Sequence, residues 1–153
     1  MESIYLVGFM GAGKSTIGAH LAHHYGLKFI DLDQEIQKRT QQSIAHIFET
    51  KGEAYFRNLE YHTLISLPKT SYVIALGGGS IEHQQIRTFL IHKPYVIYLS
   101  ASFACLYQRI MAQNSNHRPI VQSNNNHQLY RKYKDRLCYY ETVANMIYKQ
   151  SCL

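Results

Sequence analysis

Residues 8–15 read Gly8-Phe9-Met10-Gly11-Ala12-Gly13-Lys14-Ser15, a G-x-x-x-x-G-K-S spacing directly after a short apolar run at residues 3–7, SIYLV. That run is rich in β-branched and aromatic residues and ends at a glycine, so it reads as a buried strand. Beyond the loop, Ile17, Leu21 and Tyr25 fall at i, i+4 and i+8, and Gly26 stands where a helix C-terminal glycine belongs. A strand, this loop and a helix in succession form the context in which the spacing cradles phosphates. Glycine lets a ligand approach the backbone, and the N–H groups of Gly11, Ala12, Gly13, Lys14, Ser15 and Thr16 are expected to face it at a helix N-terminus. Lys14 is expected to reach the β- and γ-phosphates, and the Ser15 hydroxyl to ligate Mg²⁺. The loop implies nucleotide binding. It leaves open whether the phosphoryl acceptor is water or a substrate.

Outward from the loop, strands are predicted at residues 28–31 (KFID), 72–76 (YVIAL), 95–99 (YVIYL) and near 145–149. Helical periodicity fills the intervals. Ile44, Ile47 and Phe48 make one apolar face, and Phe56, Leu59, Thr63 and Leu64 another, with Gly52 between them and Pro68 closing the stretch. Further helices are expected over 83–91, after a capping Ser102 with Phe103, Leu106 and Ile110 on one stripe, and over 128–140. Residues 113–127 are polar, Asn-rich and interrupted by Pro119, and a loop that long is usually functional. Alternating strands and helices, with near-continuous apolar strands, predict one α/β domain over 1–153. It is expected to be a three-layer sandwich of P-loop type. Right-handed crossovers and a phosphate loop after the first strand predict a five-stranded parallel sheet in the order 2-3-1-4-5.

The composition narrows the partners. The chain has 153 residues, 46% hydrophobic and 17% charged, which excludes a disordered polymer. No run of about 18 uncharged apolar residues occurs, and residues 1–15 read as a structural element rather than a signal peptide. A soluble, cytoplasmic monomer is the expectation. Cys105, Cys138 and Cys152 are odd in number and form no CxxC, which predicts reduced thiols rather than a disulfide or a zinc site. His20, His23 and His24 read as an exposed helix face. The net charge of +6 is spread over isolated arginines, among them Arg57, Arg109, Arg118 and Arg136. Isolated arginines suit bidentate contacts to phosphate or carboxylate, so small anions are expected rather than nucleic acid or a membrane.

Other residues read less sharply by themselves. Asp31 and Asp33 end the second predicted strand, on the crevice side of an open α/β sheet. Asp31 is expected to position Mg²⁺ through water. Asp33 is read as meeting substrate hydroxyls or helping to take a proton, with a helix N-cap as the open alternative. Arg57 alone reads as a surface arginine. Gly77-Gly78-Gly79 is either a close-approach site for a ligand or a plain tight turn.

In combination these residues resemble one family, the shikimate kinases of the nucleoside-monophosphate-kinase-like P-loop group. The resemblance is carried by GFMGAGKST at 8–16, DLD at 31–33, SIAHIFETKGEAYFRNLE at 43–60, GGG at 77–79 and HRP at 117–119, and by Arg136 followed by Tyr140, Glu141 and Ala144. It implies ATP-dependent phosphorylation of the 3-hydroxyl of shikimate in aromatic amino acid biosynthesis, with Mg²⁺. It implies that Asp33, Arg57, Gly78, Gly79 and Arg136 hold the substrate, the two arginines on its carboxylate. It places Arg109 near the adenine and Arg118 in a lid over residues 113–127, with Lys14, Asp33 and Arg118 catalytic. Arg57, the triple glycine and Arg136 argue against a gluconate-type kinase, and the absence of an N-K-x-D motif against a switch GTPase. The chain departs from the family at Cys138, where a proline is usual. It also departs in having only Ser151-Cys152-Leu153 after the last predicted strand, so the adenine is expected to rest mainly on Arg109, with a relaxed preference for ATP over GTP.

Overall fold

The apolar run after the N-terminus forms β1 (Ile4–Val7), with all four residues buried. A strand buried on both faces needs neighbours on both sides, and β1 has them. β3 (Tyr72–Ala75) and β4 (Val96–Ser100) flank it in parallel, with Leu6 opposite Ala75 and Ile97. β2 (Lys28–Asp31) pairs with β3, and β5 (Met146–Lys149) with β4. In this computed structural model, which describes residues 1–114 and 125–152, the parallel sheet runs β2-β3-β1-β4-β5, the predicted order.

Alternation along β1 divides the core between the faces of the sheet. Ile4 and Leu6 join Ala22 and Val73 in a small cluster with α1 (Lys14–Tyr25). Tyr5 and Val7 enter the larger cluster on the other face, with Ile36 of α2 (Leu32–Thr40), Phe56 and Leu64 of α3 (Ile44–Ser66), and Leu90 of α4 (Gln84–Ile91). Ser43 caps α3 by accepting from His46 N at 3.1 Å, and Gly52 breaks its regular backbone. Each parallel connection returns the chain to the same end of the sheet, so the loops after β1, β2 and β3 lie side by side.

Two expectations are corrected. The polar segment predicted over 113–127 is partly helical, because α5 (Phe103–Asn114) and α6 (Asn125–Val143) extend into it. Leu129, Tyr133, Leu137 and Tyr140 pack α6 against the core, and that packing overrides the weak helix propensity of the asparagines at its start. Residues 115–124, with Arg118 and Pro119 and most of the predicted lid, lie outside the described residues. Second, the thiols are not all reduced. Cys105 on α5 is disulfide-bonded to Cys152, with Cα atoms 5.6 Å apart, while Cys138 is free and exposed. Local cysteine spacing cannot register this pairing. It arises because β5 lies beside β4 and its exit carries Cys152 to the helix that follows β4. Among the described residues no helix is long and apolar enough to cross a membrane.

The bridge closes a chain segment spanning 47 positions, and a disulfide on a loop of that size typically contributes about 2–4 kcal/mol. Reduction, or Cys152→Ser, is therefore expected to lower unfolding stability by that amount in denaturant titrations. Thiol titration of the unreduced, unfolded chain should find Cys138 alone; reaction of all three cysteines would show that the bridge does not form.

Candidate active site

The phosphate loop joins β1 to α1, and Gly13 is the N-cap of that helix at φ 82°, a left-handed conformation that side chains rarely adopt. The loop is held from inside and from outside. Lys14 Nζ donates to the carbonyls of Gly8 at 2.7 Å and Phe9 at 3.0 Å. Arg109, on α5, donates to the Gly11 carbonyl at 3.3 Å and to Gln150 Oε1 at 2.9 Å. Gln150, at the exit of β5, in turn donates to the Ala12 carbonyl at 2.9 Å. Burial pushes the Lys14 ammonium down to about 8, against the pull of Asp33 and Asp31 and with a further push from Arg136. The charged end of Lys14 thus sits in the loop where a polyphosphate would compensate it. Ser15 and Thr16 open α1 and are exposed.

Asp31 closes β2 and caps α2, and one carboxylate oxygen accepts from the N–H groups of Asp33 at 3.1 Å and Gln34 at 3.2 Å. Its other oxygen accepts from the Ser15 hydroxyl at 2.6 Å. The N-cap role left open for Asp33 therefore belongs to Asp31. Asp33 lies in the first turn of α2 and faces the Gly77 backbone, where a Cβ would stand 3.1 Å from Asp33 Oδ1.

The triple glycine follows β3 and leads into a 3-10 turn, Ser80–Glu82. Its backbone lies against the phosphate loop, and a Cβ on Gly78 would stand 3.0 Å from Met10 N. The Gly78 carbonyl accepts from Arg136 at 3.2 Å and from the Tyr140 hydroxyl at 2.6 Å, both on α6. Burial drives the Tyr140 phenol far up, so it remains a neutral donor. The Arg57 guanidinium rests on Gly79, where a Cβ would collide with it. Glycine at 79 thus leaves the arginine room to lie where it does.

Arg57 is no ordinary surface arginine. It pairs with the wholly buried Glu60 at 2.9 Å, and Glu60 also accepts a short hydrogen bond from Ser80 Oγ. Burial pushes the Glu60 carboxyl up, while Arg57 and Ser80 pull it back. Burial also opposes the charge of Arg57, but Glu60, Glu53 and Glu82 outweigh it and keep the guanidinium protonated. Arg136 is 4% exposed and lies over the Phe9 ring at 5.5 Å.

The structure thus gathers Lys14, Ser15, Asp31, Asp33, Arg57, Gly78, Gly79 and Arg136 at the carboxyl ends of β1, β2 and β3, with Arg109 at the flank of the phosphate loop. Arg118 lies outside the described residues. Sequence reasoning gave no role to Glu60, Glu82 or Gln150. Glu60 had one available signal, its place three positions after Arg57 on one helix face. Glu82 and Gln150 had none, because both act across the fold.

Comparisons with known proteins show what the chain as a whole is similar to. The family model described as shikimate kinase matches residues 10–152. A shikimate kinase of Staphylococcus aureus (strain MRSA252) is 39% identical over 141 residues, covering 92% of this chain and 80% of the relative. One from Chloroherpeton thalassium is 42% identical over 127 residues, covering 82% and 67%. Among solved structures, shikimate kinase from Acinetobacter baumannii in complex with shikimate superposes with a TM-score of 0.89 at 38% identity, covering 100% of this chain and 86% of that one. The shikimate kinase of Bacteroides thetaiotaomicron gives 0.86 at 29% identity, covering 97% and 86%.

Lys14→Ala removes the one ammonium that the phosphate loop encloses. Groups that balance developing charge in such a site typically supply about 10²-fold or more in rate. Circular dichroism should show that the variant still folds. Its turnover of nucleotide should fall by at least about 10²-fold. Steady-state kinetics at saturating substrate check this, and retention of a tenth of the activity would remove Lys14 from the mechanism.

Proposed function

The chain belongs to the shikimate kinase family, and we propose that it performs ATP-dependent phosphorylation of the 3-hydroxyl of shikimate at the site described above. One observation carries the assignment of residues. Arg57 against Gly79 and Arg136 on the Gly78 carbonyl both reach Glu82, beside the phosphate loop. Two guanidiniums of that kind grip a carboxylate through paired N–H donors, and the adjoining loop presents its N–H groups to polyphosphate.

The chemistry follows from the placement. Arg57 and Arg136 take the substrate carboxylate and thereby orient the ring. Asp33, half-buried at the start of α2, accepts from ring hydroxyls and receives the proton of the attacking hydroxyl as its oxygen bonds to the γ-phosphorus. The bond between the β,γ-bridging oxygen and the γ-phosphorus breaks, and ADP leaves with that electron pair. Lys14 balances the charge spread over the phosphoryl oxygens, and Arg118 adds to it. Arg109 is held by Gly11 and Gln150 with its planar group beside the loop, positioned to stack on the adenine.

The residues present also fit Mg²⁺. Among the described residues no cluster of three His, Cys, Asp or Glu side chains forms a metal cage. Mg²⁺ in kinases needs none, since waters and phosphates fill most of its positions. Ser15 Oγ and Asp31 Oδ2, 2.6 Å apart beside the loop, are the hard oxygens that would hold it, Asp31 through water. The ion, when bound, neutralises charge on the β- and γ-phosphates.

In a coupled assay, ADP should appear only when shikimate is added, not with gluconate or with water alone. ADP release at the same rate without an acceptor would overturn the reading. Arg57→Lys and Arg136→Lys keep the charge but lose the planar fork, so KM for shikimate should rise by about tenfold or more while KM for ATP is spared. Asp33→Asn should lower kcat by about 10²–10⁴-fold, because an amide cannot take the proton. A kcat within threefold of wild type would leave Asp33 as a binding residue only.

A further inference from the structure

Three carboxylates surround the two substrate-side guanidiniums, and they differ in kind. Glu60 is fully buried and pairs with Arg57 alone at 2.9 Å. Glu53 is 63% exposed and touches Arg57 alone at 3.3 Å. Glu82 reaches both: its Oε1 lies 3.1 Å from Arg136 Nε, and its Oε2 lies 3.7 Å from an Arg57 terminal nitrogen. One oxygen for each arginine is the division expected of a substrate carboxylate in the same place.

The backbone under Glu82 is fixed. Its N–H donates to the Gly79 carbonyl at 3.0 Å. Arg87 donates to the carbonyls of Ile81 at 2.7 Å and Glu82 at 2.8 Å, and lies over the Tyr139 ring at 4.1 Å. The side chain, by contrast, is 37% exposed and can turn into solvent without a change of fold. Glu60 has no such exit, since leaving its arginine would strand a buried charge. An incoming carboxylate on Arg57 and Arg136 would meet the negative charge of Glu82 at contact distance. Like charges at that separation repel, so one of the two must leave.

We propose that Glu82 is an internal counter-carboxylate: it occupies the place of the substrate's carboxylate between Arg57 and Arg136 in the empty enzyme, and the substrate displaces it. The proposal rests on the reading of these two arginines as the carboxylate grip. It makes Glu82 an affinity-setting residue of the carboxylate grip. With Glu82 in place the two guanidiniums are surrounded by three carboxylates, so a simple carboxylate finds little attraction. A substrate whose hydroxyls also engage Asp33 gains enough contact to expel the side chain. Affinity is lowered for every carboxylate, and a ligand with contacts beyond the two guanidiniums offsets that cost.

The test uses the intact chain with Glu82→Gln, Glu82→Ala and Glu82→Asp. Partly exposed ion pairs are weak, and two of them lost together correspond to roughly threefold to tenfold in affinity. KM for shikimate should therefore fall by about threefold to tenfold in the Gln and Ala variants. KM for ATP and kcat should be unchanged, and the Asp variant should stay near wild type. Benzoate, a carboxylate without hydroxyls, should bind and inhibit these two variants more tightly than wild type. A KM for shikimate that rises or stays constant, with benzoate no tighter, overturns the proposal. The benzoate arm, read by thermal shift, requires no turnover, so a wild-type chain inactive on shikimate would overturn the functional reading and still leave Glu82 judged. If the variants do not fold, a structure of the wild-type protein with shikimate decides. Glu82 turned away from both arginines supports displacement, and Glu82 still bridging them refutes it.

Discussion

Glu60 has no contact with water, and a carboxylate so placed must be satisfied from within the protein. Two groups satisfy it, Arg57 from its own helix and Ser80 from the turn after the triple glycine. The contact with Ser80 depends on the register between α3 and the exit of β3. The energetics indicate what this arrangement is for. A buried ion pair contributes little net stability, since apolar residues of the same volume would do as well. What the pair supplies is orientation: Arg57 is fixed against Gly79 before any ligand arrives. A guanidinium ordered during folding loses less conformational freedom on binding, which favours affinity and a single substrate pose.

The parallel topology does the remaining assembly. On the proposed function, the loop after β1 would receive phosphate and the glycines after β3 would form the floor for the acceptor. Because β1 and β3 are neighbours, the two loops touch through the backbones of Met10 and Gly78. The segment after β2, one strand further out, adds Asp31 and Asp33 at the same edge. α6 then closes the arrangement from across the sheet, and its Arg136 and Tyr140 converge on the single carbonyl of Gly78. The proposed sites for the phosphoryl donor and acceptor are therefore adjacent because the loops of a parallel sheet emerge on one side.

That division explains what could be read in the sequence. The fold was legible because its signals are short-range: unbroken apolar runs for β1, β3 and β4, glycines at their ends, and a phosphate loop in its strand-to-helix setting. The site was legible where one residue type at one spacing has few alternative uses, as for Lys14, Ser15 and the D-x-D pair. Arg57 and the triple glycine became legible only in combination. Long-range consequences were not legible. Gln150 reaches the Ala12 carbonyl across 138 positions, and Glu82 meets Arg136 across 54. Nothing in the local chemistry of a glutamine or a glutamate signals such a partner. The cysteines failed for the same reason, since counting and spacing carry no information about which helix a returning strand will pass.

The bridge between Cys105 and Cys152 has a topological consequence. The chain from 105 to 152 is a closed covalent ring, and Arg109, Arg136 and Gln150 are all members of it. The residues proposed for the nucleotide and for the acceptor thus share one macrocycle, threaded into the sheet by β5 and anchored to the remainder of the molecule at α5. A single peptide-bond cleavage anywhere within it opens the ring but detaches nothing. The two pieces remain one molecule, with both arginines still tethered, until the sulfurs are reduced.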